Sequence, residues 1–293
     1  MKNILLLCGI LFCTSIFAQR DFDKVEIEAL QVSDNIYMLK GSGGNIGVLT
    51  GEEGTLIIDT QFAPLSEKIK SAISDITDHD VNYVVNTHWH GDHTGGNKNF
   101  SNDGAVIIAH DNVRKRLSTN NVRPFGRTTE AAPEEAWPHL TFNDKLNFYF
   151  NGHSLHLTHV HNAHTDGDVF IYFADANVLH MGDCFFKDRF PFIDTALGGS
   201  PDGALKAISV ALMICDDDTK IIPGHGSLAT KEDLIKYNKM LMTLVNRVKA
   251  SIENDKSLEE ALNSNLTEGY EGWGSGFIND EKIIKTLYAA YQQ

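Results

Sequence analysis

At 293 residues the chain is long enough to bury a sizeable core without disulfide staples. Asp and Glu outnumber Lys and Arg by 39 to 25, a formal net charge of -14, which repels phosphate backbones and anionic membrane surfaces. No nucleic-acid partner is expected: the one tight basic cluster, Arg114-Lys115-Arg116, reads as a solvated helix face.

Residues 1–18 read as a signal peptide. Lys2 supplies the positive flank, the apolar run from Ile4 to Phe12 is too short to span a bilayer, and cleavage is expected after Ala18. Leu7 and Phe12, preceding Cys8 and Cys13, are too bulky for lipidation, so an exported protein, periplasmic or secreted and without stable membrane anchoring, is expected. Of the remaining cysteines, Cys184 and Cys215, the first sits in a motif with another use, and a disulfide is not expected.

Short β-like runs follow at Ile36 to Lys40, Ile46 to Thr50 and Thr55 to Asp59, separated by glycine turns. The spacing of Leu65, Ile69, Ile73 and Ile76 predicts a helix over 64–76, and Tyr83-Val84-Val85 a strand after it. The same alternation recurs at Ala105 to Ala109 with a helix near Asp111 to Leu117, and at Pro201 to Ile214 leading into Lys220-Ile221-Ile222. Strands are expected at Leu146 to Phe150, Ser154 to His159, Val169 to Phe173 and Val178 to Met181, and a long loop over 123–138. This is an α/β pattern of two sheets flanked by helices. From Lys231 onward, Leu234, Tyr237, Leu241, Leu244, Val245 and Val248 form one apolar helical stripe and Ile283, Ile284, Leu287 and Tyr288 another.

The chemistry concentrates in His88-Trp89-His90-Gly91-Asp92-His93. His88 and His90, two apart at the end of an apolar strand, project to one side. Gly91 permits a sharp turn before Asp92 and His93. So many ligand-type side chains in six residues point to a metal site rather than to core packing. Further candidates are His164, Asp183 and His225, each beside a glycine turn or a strand end. Spacing alone leaves His159 and His161 as alternatives to His164, and Trp89 could wall the site or belong to the core.

These motifs resemble the metallo-β-lactamase superfamily, whose signature is H-x-H-x-D-H followed by a separated His, Asp and His; the resemblance runs from about Asn35 to Ala229. It implies an αββα sandwich of two mixed β-sheets, with residues 19–230 as catalytic domain and residues 231–293 as a helical extension packed on it. It further implies two Zn2+ ions per chain, iron or manganese being compatible with the same ligands. His88, His90 and His164 would hold one ion, Asp92, His93 and His225 the other, and Asp183 would bridge them. Asp59 resembles a carboxylate supporting a ligand, although a strand-ending surface role fits equally. Two metals sharing a water would make it a nucleophile at ambient pH, with Asp92 orienting it.

The small-molecule substrate is expected to carry a carbonyl. Cys184-Phe185-Phe186-Lys187 resembles an element of one lactamase subclass in which the cysteine ligates metal and the lysine binds the drug's carboxylate. Lys187, Cys184 and Trp89 are accordingly candidate substrate contacts, and a β-lactam amide is the leading expectation. His93 and Asp183 depart from that subclass and keep lactones, esters and thioesters open. An iron-dependent persulfide dioxygenase shares the histidine pattern.

Overall fold

The computed structural model describes residues 21–122 and 128–292. The expected signal peptide, 1–18, and positions 123–127 of the expected loop lie outside the described residues. The first half contains β1 (Glu28–Ser33), β2 (Ile36–Lys40), β3 (Ile46–Gly51), β4 (Gly54–Ile58), α1 (Ser66–Ser74) and β5 (Val81–Val85). Next come α2 (Gly91–Thr94), α3 (Asn97–Asn102), β6 (Val106–His110), α4 (Asp111–Leu117), β7 (Asn121–Val122), β8 (Thr128–Thr129) and β9 (Leu140–Phe142). The second half contains β10 (Lys145–Phe150), β11 (His153–His159), β12 (Val169–Phe173), β13 (Val178–Phe186), α5 (Pro201–Ile214) and β14 (Lys220–His225). Three helices close the chain: α6 (Lys231–Glu253), α7 (Leu258–Leu262) and α8 (Asp280–Tyr291).

The first sheet has the order β1-β2-β3-β4-β5-β6-β9 and the second β10-β11-β12-β13-β14. In each, an antiparallel meander gives way to parallel pairing, at β4–β5 and at β13–β14. Side chains alternate faces along a strand, so each sheet sorts its apolar residues into two layers. Leu56 and Ile58 of β4, with Val85 and Ile108, meet Leu157, Ile171 and Phe173 between the sheets. Ile57, Val84 and Ile107 turn outward onto Ile69 and Ile73 of α1. On the far side Leu179, Met181 and Ile221 pack against α5, α6 and α8 through residues such as Ala207, Leu241 and Ile284. The result is an αββα sandwich of mixed sheets.

Residues 231–292 supply much of the outer layer of the second sheet. The α6 stripe is buried at Leu234, Tyr237, Leu241, Leu244, Val245 and Val248, and Thr230 with Asp233 closes a reciprocal capping box at its start. Strand β1 has no counterpart among the expected elements. Four of its six residues are exposed, so this edge strand carries no alternating apolar signal. No described helix is long and apolar enough to cross a membrane.

Candidate metal centre

All seven expected ligands converge in strands of both sheets and the loops and short helix that follow them. Strand β5 delivers His88 and His90 just beyond Val85, α2 carries Asp92 and His93, β13 holds Asp183, and β14 ends on His225. His164 lies between β11 and β12. Two groups of potential ligand atoms result: His88, His90, His164 and Asp183 in one, and Asp92, His93 and His225 in the other.

The hydrogen bonds decide which nitrogens face inward. Nε2 of His90 donates to Asp194 Oδ2 at 2.9 Å, and Nδ1 of His164 donates to the Phe192 carbonyl at 2.7 Å. Thr87 spends its hydroxyl proton on Asp59 Oδ2 at 2.7 Å, so its oxygen accepts from His88 Nδ1 at 3.0 Å. A neutral imidazole has one N–H, and each ring has used it outward. Three lone pairs therefore converge: His90 Nδ1 is 3.1 Å from His88 Nε2 and 2.8 Å from His164 Nε2. Such a cluster is repulsive unless a cation sits among the nitrogens, and its donor chemistry fits a divalent transition metal.

Asp183 faces both groups. Its Oδ2 lies 3.5 Å from His164 Nε2 and 3.9 Å from His88 Nε2, whereas its Oδ1 lies 3.1 Å from His93 Nε2 and 3.3 Å from His225 Nε2. His93 Nε2 and Asp183 Oδ1 are both buried without a well-formed hydrogen bond, as atoms destined for a cation would be. On the other side of the ring, His93 Nδ1 meets Asp59 Oδ2 at 2.7 Å. Asp59 is fully buried, which resolves its two expected roles in favour of ligand support. Asp92 Oδ2 stands 3.4 Å from His225 Nε2.

The electrostatics divide along the same line. Burial, helped by the neighbouring rings of His93 and His164, drives the His88 pKa well below the ordinary value, and burial lowers His164 to about 4. Burial opposes charge on His93 and His225 too, but Asp183 outweighs it, with Asp59 assisting at His93 and Asp92 at His225. His93 is raised well above the usual imidazole range and His225 to about 9. Against its own burial, Asp92 is lowered to about 2 by His225 and His93.

Two glycines let the backbone approach these groups. A Cβ at Gly44 would overlap the His93 ring, and one at Gly224 would overlap Asp183 Oδ1.

The three expected substrate contacts, Lys187, Cys184 and Trp89, do not line the cavity that opens above the ligand groups. Lys187 Nζ is held by the Leu228 carbonyl at 2.9 Å and by Asp233 at 3.0 Å, because the α6 cap brings that carboxylate over it. Cys184 points into the apolar layer beneath α5 and α6. Burial, with Asp168 nearby, raises its thiol pKa well above the ordinary value. Strand alternation explains this, since Asp183 faces the metal-type ligands and its neighbour must face away. Trp89 packs with Val113, Leu117 and Leu197 and lines a separate hollow beside Lys98 and Leu117. His159 also lies apart, stacked on His110 at 3.7 Å between ring centroids, so the structure brings in His164 among the three alternatives. Asp194 and Thr87, which orient ligand rings, carry no motif and were not foreseeable from spacing.

Above the ligand groups opens a cavity of about 600 Å³, lined by His90, Asp92, Asp183 and His225 at the floor. Phe62, Phe186, Phe190, Phe192 and Phe277 form much of its wall.

Comparison with known proteins agrees with this geometry. Over 263 residues the chain is 23% identical to a metallo-β-lactamase type 2 of Bacteroides fragilis, covering 83% of this chain and 96% of that protein. It is 26% identical over 216 residues to a hydroxyacylglutathione hydrolase of Polaromonas sp., covering 66% of this chain and 77% of the relative. Among solved structures, a metallo-β-lactamase from Pontibacter korlensis superposes with a TM-score of 0.62 at 17% identity, covering 74% of this chain and 99% of that one. The sec-alkylsulfatase Pisa1 from Pseudomonas sp. superposes with a TM-score of 0.68 at 16% identity, covering 90% of this chain and 50% of that one. The family model of the metallo-β-lactamase superfamily matches residues 39–225, a span that contains all of the converging His and Asp side chains, and the chain belongs to that superfamily.

Proposed function

We propose that this protein is a zinc-dependent hydrolase with two metal ions, acting on an activated carbonyl of an ester, lactone or thioester whose acyl part is apolar. The observation that carries this reading is Asp183, whose two carboxylate oxygens face separate ligand groups at the floor of one cavity. His88, His90 and His164 would hold one ion, and Asp92, His93 and His225 the other. Bound there, the metals would polarise the carbonyl and acidify a water. Asp92 is half-buried and, with its pKa lowered to about 2 by the adjacent His225 and His93 against the effect of burial, remains an ionised acceptor. Its carboxylate can accept a hydrogen bond from the attacking water and orient it toward the carbonyl. The phenylalanine wall excludes bulk water and strengthens these interactions. The basic and apolar pattern of residues 1–18 supports an exported enzyme, periplasmic or secreted.

A second reading, hydrolysis of a β-lactam amide, is favoured by the similarity that spans nearly all of the Bacteroides fragilis lactamase. Against it stands the engagement of Lys187 by Asp233, which removes the cation expected to meet the drug's carboxylate. The test is purified, zinc-loaded protein assayed in parallel against a chromogenic cephalosporin, an aryl lactone and an acyl thioester. Lactone or thioester cleavage that dominates supports the first reading, and cephalosporin cleavage that dominates overturns it in favour of the second. Asp92→Ala should suppress turnover far more than substrate binding.

A further inference from the structure

Three histidines that the metal centre leaves unused gather at the end of β11. Val160 turns into the apolar layer, so its neighbours His159 and His161 project together to the other side. A backbone hydrogen bond from Val160 N to the Asp168 carbonyl at 2.9 Å fixes the residue between them, and Asn162, in the left-handed region at φ 51°, turns the chain directly afterwards. His110, at the end of β6, lies stacked on the His159 ring.

The ring of His159 is held as a ligand ring is held. Its Nδ1 donates to the Asp168 carbonyl at 2.9 Å, as Nδ1 of His164 does to the Phe192 carbonyl, and Nε2 is left carrying the lone pair. That nitrogen takes no hydrogen bond from a described residue and is not sealed inside the fold. Burial, with repulsion from His110 and His161, lowers the His159 pKa to about 4, so the lone pair stays unprotonated at neutral pH. His110 has both of its own nitrogens engaged, Nε2 donating to the Asn143 carbonyl at 3.1 Å and Nδ1 accepting from the Asn112 amide at 3.2 Å. It forms a fixed plate behind His159. His161 is exposed, and its ring centre lies 4.4 Å from that of His159 with the planes at 81°. His90 and His164, whose lone pairs meet in the main centre, stand at 4.7 Å and 80°. An exposed ring changes rotamer rapidly, which lets a His161 nitrogen turn beside His159 Nε2. Acidic groups surround the cluster: Asp144 acts on His159, and Asp111 and Asp166 act on His110.

We propose that His159 and His161 form an accessory site for a single late divalent transition metal, Cu2+ in preference to Ni2+ or Zn2+, separate from the ligand groups at the cavity floor. Two imidazole nitrogens completed by water oxygens suit the tetragonal geometry of Cu2+, and affinity for nitrogen ligands peaks at that ion. The surrounding carboxylates favour a cation here. The pair lies on the segment between β11 and β12 that presents His164, and the Asp168 carboxylate holds the Thr165 amide at 2.8 Å and its hydroxyl at 2.6 Å. A metal on His159 therefore braces the turn that carries one ligand of the main centre.

The test is a Cu2+ titration of the zinc-loaded protein at neutral pH, followed by electron paramagnetic resonance, with zinc content measured on the same samples. The wild type is expected to bind one Cu2+ per chain, with nitrogen hyperfine coupling from two imidazoles and no release of zinc. His161→Ala, a change at an exposed side chain, should lower that affinity by at least about tenfold with zinc content unchanged, and His159→Gln should do the same. His79→Ala, which removes an exposed histidine of another loop, should bind copper as the wild type does. Copper taken up only as zinc leaves, a spectrum without coupling from two imidazoles, undiminished affinity in His161→Ala, or an equal loss in His79→Ala overturns the proposal. Since the readout needs no catalysis, it stands apart from the hydrolase reading.

Discussion

The carboxylate of Asp59 lies 2.7 Å from Nδ1 of His93, and both side chains are fully buried. Asp59 is itself held by the Thr87 amide at 2.8 Å and the Thr87 hydroxyl at 2.7 Å, while its backbone occupies the left-handed region at φ 68°. That conformation is uncommon for a residue other than glycine, though aspartate tolerates it. The cost is met by orienting His93 so that Nε2 faces Asp183. Asp59→Asn should therefore lower metal affinity at the Asp92, His93 and His225 group by about 10- to 100-fold, read by competition with a chromogenic chelator. An unchanged affinity would show that His93 needs no such support.

Binding of metal at the same group should release protons. His225 in the metal-free chain has its pKa raised to about 9 because the carboxylates of Asp183 and Asp92 outweigh burial, so at pH 8 the ring is largely protonated. A ligand must shed that proton, and affinity should climb with pH until about 9. The linked stability runs the other way: a folded pKa above the unfolded value near 6.5 gives stabilisation that is complete below about 6.5 and lost as pH rises through about 9. Calorimetry in buffers of different ionisation enthalpy measures the proton count, and a zero count at pH 8 would contradict the assignment of His225.

Gly224 is required by proximity, since an added Cβ would collide with Asp183 Oδ1 and with the Gly182 backbone. Gly224→Ala should destabilise the fold by about 1–3 kcal/mol and displace the carboxylate that faces both groups. Thermal unfolding and metal content measured on the same sample check this, and a variant with wild-type values of both would contradict it.

Away from the centre, the stacked pair His110 and His159 should make the fold acid-sensitive. Burial, with His110 and His161 adding repulsion, lowers His159 to about 4, and burial also lowers His110. A histidine whose folded pKa lies below its unfolded value costs stability as pH falls, here from about 6.5 to about 4. His159→Gln should flatten the melting temperature profile across that window, and an unchanged slope would remove His159 as its source.

Much of this architecture is legible in the sequence where residues obey a period. Leu56, Ile57 and Ile58 announce a strand buried on both faces, and the tail from Leu234 to Val248 announces a helix. The expected ligands are likewise legible because glycine turns and strand ends set them apart. What escaped is what depends on a third element. The partner of Lys187 is an α6 cap residue, Asp233, far along the chain, and no local pattern at residues 184–187 reveals it. Asp194 meets His90 across a similar separation, and β1 is an edge strand whose exposed residues leave no apolar trace. The short helix α2 is hidden by the ligands it carries, since Asp92 and His93 read as chemistry before they read as a helical turn.

The most direct test of the dinuclear assignment is anomalous diffraction at the zinc edge from crystals of the zinc-loaded protein. The expected result is two peaks separated by about 3.5–4 Å, one among His88, His90 and His164, the other among Asp92, His93 and His225, with Asp183 between them. A single peak, or peaks away from these side chains, would contradict it.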